Sequence, residues 1–216
     1  MSFDTNIVRY AYINVVNDAL PGGGGSNIGP QVGLAPGQLG KRFFRDDSEI
    51  VANLTVGTVY GGWFRYVQLS SGSATPIIGQ IVFWDYSLAV SVANDELYRV
   101  TTLESTTVDG AVTRAGIILS PSVTPGNYTI IQDFGPCFTK FRTTLTDAGA
   151  IGSPCYCAGA GAGADNGFAD VVNNAGAASQ GDVGLLARRY LGTARVAPSS
   201  LSLTLVDLTF GNTQRG

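Results

Sequence analysis

Histidine does not occur anywhere in this 216-residue sequence. Its absence removes the commonest general base near neutral pH, the usual partner of a serine or cysteine nucleophile, and the commonest zinc ligand. Charge is also scarce: Asp, Glu, Lys and Arg make up 13% of the residues, about half the usual share, and the formal net charge is −3. The two lysines, Lys41 and Lys140, and the lack of a basic cluster argue against neutralising a phosphate backbone, so direct nucleic-acid binding is not expected. Three cysteines are an odd number and a poor disulfide framework, so reduced thiols are expected. No apolar run approaches the roughly eighteen residues of a spanning helix, and the first residues lack a basic start followed by an apolar segment. A soluble chain made in the cytoplasm, with no membrane partner, is the expectation.

What is abundant is glycine, with 29 residues, about twice the average usage; together with nine prolines it interrupts the chain every few positions. Long helices do not fit between such breaks. The intervening runs favour Val, Ile, Thr, Tyr, Phe and Trp, whose branched or aromatic side chains suit a pleated surface. The expected fold class is all-β, a single β-barrel or β-sandwich domain with an extended Gly/Pro-rich N-terminal arm. The arm covers residues 1–45 and the β-rich domain residues 46–216.

Within the arm, residues 1–20 fit strand and helix periodicities equally and are left open. Residues 21–40 hold eight glycines and three prolines, which excludes regular helix and any central strand. Ile28, Val32, Leu34 and Leu39 recur there at intervals that a flexible spacer would not need, so the arm is expected to dock on a partner. KRFFR at 41–45 sets Phe43 and Phe44 among cations; either one ring packs inward, or Phe43, Phe44 and Arg45 extend the partner contact. A short helix is expected at 48–54 and strands at 55–60, 63–69, 77–85, 98–103, 112–119, 128–132 and 138–145. The run IIGQIVFWDY is apolar on both faces and calls for cover on both sides. TPGN at 124–127 reads as a turn, and AGAGAGAD at 158–165 as a surface loop lacking the strand, helix and Lys-Ser/Thr of a phosphate cradle. Residues 182–191 fit a helix face or a strand, with strand favoured by context. Residues 201–210 alternate and then slip by one between Leu205 and Val206, as across a β-bulge. FRYVQ at 64–68 and YTIIQ at 128–132 form a faint internal repeat.

A search for chemistry yields little. Cys155 and Cys157 share one face of a strand with Cys137 as a third thiol, but a structural zinc needs four ligands, and buried small hydrophobes are the simpler reading. Asp46, Asp47 and Glu49 suit a helix start better than a calcium loop, and Asp95 and Glu96 find no second carboxylate across a cleft. Trp63 and Trp84, with Tyr66 and Tyr86, read as core aromatics rather than as a sugar platform. No catalytic residue, cofactor or metal is expected, and the chain is not read as an enzyme.

The runs GGWFRYVQLSSGSATPIIGQIVFWD, TPGNYTIIQDFGPC and LTDAGAIGSPCY resemble those of tailed-bacteriophage capsid decoration, or cement, proteins. The resemblance spans residues 60–192. In that family a strand enters a Gly-x-Tyr turn, passes an Ile/Val-Gln pair and ends at a glycine; Gly126, Tyr128, Ile131, Gln132 and Gly135 match it here. Gly152 before Cys155 and Tyr156 fits a later glycine ahead of an apolar pair. The resemblance implies a virion protein that binds the outer surface of the major capsid protein shell as homo-oligomers, often trimers, and stabilises it through protein contacts. A head fibre, tail or baseplate component, or a carbohydrate-binding adhesin module, would share the same β-rich character.

Overall fold

The computed structural model describes residues 40, 42–45, 61–85, 98–102, 114–119, 123–158, 165–172 and 189–209. Almost no helix occurs among them. Ten strands are linked into one sheet: β1 Arg42–Arg45, β2 Gly62–Leu69, β3 Ile81–Trp84, β4 Arg99–Thr101, β5 Arg114–Ile118, β6 Tyr128–Lys140, β7 Pro154–Cys157, β8 Ala169–Val171, β9 Tyr190–Ala194 and β10 Leu203–Leu208. The expected helix at 48–54 and strand at 55–60 lie outside the described residues, as do residues 1–39 and 159–164. The last four residues of the stretch read as an arm are strand β1, paired antiparallel with β2 from Arg42 opposite Arg65 to Arg45 opposite Gly62.

Two chain-wide pairings organise the sheet around β6. Neighbours followed from β2 through β4, β3, β5 and β6 lead back to β2, with β2–β4 the one parallel contact in that succession. From β6 the sheet also continues through β10, β9, β7 and β8. Phe141, directly after β6, bridges Ala169 of β8 in parallel, and the Arg142 N–H donates to the Ala169 carbonyl at 3.0 Å. The separate strands expected at 128–132 and 138–145 are therefore one thirteen-residue strand. Its first half pairs with β2 and its second half, from Gly135 to Lys140, with β10.

Burial follows the pleat, since successive residues point to opposite faces. In β3 all four residues are buried: Ile81 and Phe83 enter one apolar cluster, Val82 and Trp84 another, so the two-sided cover expected of the run IIGQIVFWDY holds for residues 81–84. The strand expected from residue 77 is shorter than that, because residues 77–80 form a turn closed by the Gln80 N–H on the Ile77 carbonyl at 3.0 Å, with Ile77 exposed. The second cluster draws on every strand of the closed succession, through Val67, Val82, Val100, Ile118 and Ile131. The first lies between the opposite face of that succession and β7 to β10, where Phe64, Ile81 and Phe83 join Cys155, Leu191 and Val206.

Three bulges displace side chains between these faces. Trp63 faces Phe134 and Phe64 faces Gln132, so Asp133 has no opposite residue on β2. In the same way Ala115 is extra in β5 against β3, and Leu191 in β9 against β7. The bulge expected between Leu205 and Val206 is absent: β10 pairs with β6 without interruption from Leu203 to Leu208. The doubled apolar pattern there has a different cause, because Leu205 and Val206 are both buried on opposite faces of an interior strand. The turn at 124–127 forms as expected, closed by the Asn127 N–H on the Thr124 carbonyl at 3.0 Å, with Gly126 at φ +90°. The two halves of the faint repeat pair with each other, Phe64 opposite Gln132 and Gln68 opposite Tyr128.

β6 passes from one set of partners to the other at Gly135, whose φ is +96°. A Cβ there would lie 2.9 Å from the Gly61 carbonyl oxygen and 3.1 Å from the Gly62 Cα, whereas at Gly152, φ +85°, it would meet nothing within 4 Å. Gly152→Ala is therefore expected to lower stability by about 1 kcal/mol from backbone strain alone, and Gly135→Ala by about 2–3 kcal/mol. Chemical denaturation of the two variants checks the order; equal losses would contradict it.

Candidate functional site

The bulge at Asp133 builds the most elaborated surface of the described residues. Without an opposite number on β2, Asp133 turns its carboxylate toward two arginines from neighbouring strands. The Arg42 guanidinium donates to Oδ1 through Nε at 3.1 Å and Nη2 at 3.0 Å, and Arg65 Nε lies 3.5 Å from Oδ2. Arg65 also donates through Nη1 to the Gly40 carbonyl at 3.3 Å, so the cluster fastens β1 to β2 and β6. Asp133 is buried, and burial pushes its carboxyl above the ordinary carboxylate value against the opposing pull of Arg42 and Arg65.

The same bulge resets the alternation of β6 and brings Phe134 to the face that carries Trp63. Phe44 of β1, Trp63 of β2 and Phe134 of β6 stand directly opposite one another across three strands. Phe44 is 50% exposed and Phe134 43%, while Trp63 between them is half-buried. Phe44 and Trp63 meet edge to face at 5.4 Å, and the Arg42 guanidinium stacks over the Trp63 ring at 4.8 Å. Arg65 in turn lies over Trp84, a member of the second apolar cluster, at 5.7 Å. The result is an apolar row rimmed by arginine, the composition typical of the central part of a protein contact.

Of the residues expected to touch a partner, Phe44 is in this row. Phe43 and Arg45 are on the same strand, alternating with Arg42 and Phe44. Ile28, Val32, Leu34 and Leu39 lie outside the described residues. Sequence reasoning passed over Phe134 and the Arg42–Asp133–Arg65 cluster, and it read Trp63 as a core aromatic, whereas Trp63 is only half-buried because it stands in this row. The one local signal was DFGPC at 133–137, where an acid and a glycine interrupt an otherwise regular strand pattern. Trp84 and Tyr66 are buried core aromatics, as expected, and Tyr86 lies outside the described residues. Trp63 has one ring face stacked by Arg42, which leaves less of it open to a sugar.

The other chemistry-bearing groups among the described residues are buried or paired within the fold. Cys137, Cys155 and Cys157 are free and buried in the larger apolar cluster. Burial pushes the Cys155 thiol up to about 12 and that of Cys137 higher still. Asp170 accepts from Arg142 at 2.9 Å and from the Thr146 N–H and hydroxyl at 2.8 and 2.6 Å, pinning the segment that covers β8. Asp46, Asp47, Glu49, Asp95 and Glu96 lie outside the described residues. Among the described residues no three Cys, Asp or Glu side chains gather as a metal site, and no helix is long and apolar enough to cross a membrane. The chain matches no protein-family model, no curated protein and no solved structure.

Two outcomes follow. None of the three thiols is expected to react with a disulfide reagent at about pH 8 in the native chain, and all three are expected to react after unfolding; fast native labelling would contradict their burial. Ionising Asp133 costs more in the folded chain than in the unfolded one. Its contribution to stability is thus fully present below the ordinary carboxylate value of 3.8 and is lost as the pH rises through the raised folded value. The stability of the wild type minus that of Asp133→Asn is expected to fall between about pH 3 and pH 7. Denaturation across that range measures it, and a rising difference would overturn the assignment.

Proposed function

We propose that this chain is a structural subunit of a virion, a decoration protein that binds the outer surface of the major capsid protein shell and stabilises it through protein contacts. The observation that carries the proposal is the row Phe44, Trp63 and Phe134, in which two large rings stand exposed on the sheet of a chain poor in charge. Large exposed rings beside arginine gain free energy when another protein covers them. The resemblance over residues 60–192 is the ground for taking that protein to be a capsid shell.

The fold that goes with this reading is a small β-barrel. It is supported by the succession of pairings that returns to β2 and by the apolar cluster to which all five of its strands contribute. Ile28, Val32, Leu34 and Leu39 in the Gly/Pro-rich segment before β1 would add contact area on an adjacent subunit while folding little on their own. Enzymatic activity forms no part of the proposal.

Antibody labelling of purified virions that encode the chain, viewed by electron microscopy, tests the location. The expected label covers the outer shell, and shells stripped of the protein take it up again. Phe134→Ser is expected to weaken re-uptake by roughly tenfold or more while leaving the β-domain folded. Removal of residues 1–39 is expected to weaken it as well. Label confined to the tail or neck would move the chain to a fibre or baseplate role, and unlabelled virions would end the proposal.

A further inference from the structure

Asn166 and Gly167 are the one Asn–Gly pair of the sequence, and they stand in a turn that touches both parts of the sheet. The Phe168 N–H donates to the Asp165 carbonyl at 3.0 Å and closes that turn over residues 165–168. Gly167 has φ +78° and Asn166 is not among the residues of positive φ, which makes the turn type II. The start of β3 occupies both carbonyls inside it. The Ile81 N–H donates to the Gly167 carbonyl at 2.7 Å, and the buried Gln80 side chain donates through Nε2 to the Asn166 carbonyl at 3.1 Å. Ala169, two residues after Gly167, begins β8. The turn is therefore a joint between β3 in the closed succession and β8 at the far end of the sheet. Its fit is close, since a Cβ on Gly167 would lie 2.7 Å from the Ile81 carbonyl oxygen.

In an Asn–Gly pair the backbone can attack the side chain, because glycine has no side chain to shield its nitrogen. The Gly167 nitrogen gives up its proton and bonds to the Asn166 side-chain carbonyl carbon, and the side-chain nitrogen leaves as ammonia. Water then opens the five-membered imide. Opening at the main-chain carbonyl leaves isoaspartate, with an extra methylene in the backbone. The ring closes only when the Gly167 nitrogen is eclipsed with the Asn166 Cβ about the Cα–C bond. In a type II turn ψ of the second residue is about +120°, which holds that nitrogen a third of a turn away. The hydrogen bonds from Gln80 and Ile81 oppose the rotation that would bring it round.

We propose that Asn166 is a self-modification site gated by this joint. While the turn is closed the asparagine stays intact. When the turn opens, Asn166 converts to isoaspartate, and the lengthened backbone no longer presents both carbonyls to β3. An opening that reacts is thereby recorded in a joint that does not close again.

The test uses the full chain and is independent of the decoration role. In mildly alkaline buffer Asn166 is expected to convert at least roughly tenfold more slowly in the native chain than in denaturant, as read by peptide mass and isoaspartate-specific methylation. Gln80→Met removes the bond to Asn166 and is expected to speed conversion in the folded chain by roughly tenfold. Chain converted in denaturant and then refolded is expected to lose hydrogen-exchange protection at the Ile81 amide. Asn166→Asp, with the same added charge on an ordinary backbone, is expected to keep it. Native conversion as fast as that in denaturant would overturn the gate. Equal Ile81 protection in the isoaspartate and Asn166→Asp chains would overturn the failure to re-close.

Discussion

The fold depends on how one strand changes partners. β6 runs for thirteen residues, and its first half belongs with β2 and β5 while its second half belongs with β10. Three adjacent features make the change possible. Gln132 is buried and its side-chain amide donates to the carbonyls of Phe134 at 3.3 Å and Pro136 at 2.9 Å, bracing the backbone on both sides of Gly135. Asp133 is the unmatched residue of the bulge. Gly135 adopts a backbone conformation that side chains strain, within van der Waals reach of Gly61 and Gly62.

The same few residues set the electrostatics. A carboxylate turned inward by the bulge is costly to bury, and Arg42 and Arg65 from two other strands offset only part of the desolvation. Each arginine in turn stacks on a tryptophan, so the cations are held by ring faces as well as by the acid. In a chain where 13% of residues are charged, placing three of them in one cluster ties β1 to the rest of the sheet. A comparable arrangement of Arg142 with Asp165 and Asp170 fastens the segment over β8.

One surface thereby collects the features that favour contact with other chains. The register shift that frees Asp133 also delivers Phe134 to the side of Trp63 and Phe44.

Much of this was legible in the residues. Glycine and proline spacing, β-branched and aromatic runs and the two-sided apolar pattern at 77–85 dictate an all-β chain with strands close to where they form, because those signals act over a few residues. The burial of the cysteines and of Trp84 follows from the same local chemistry. The row of rings is another matter. Arg42, Trp63 and Asp133 are far apart in the chain and become neighbours only through strand register, and a one-residue bulge decides which face each side chain takes. The slip at Leu205 and Val206 has no bulge behind it, since burial on two faces writes a similar pattern into the sequence. Composition and periodicity determined what kind of layers this chain forms; pairing between distant strands decided which residues meet, because hydrogen-bond register is a property of two strands and is encoded in neither alone.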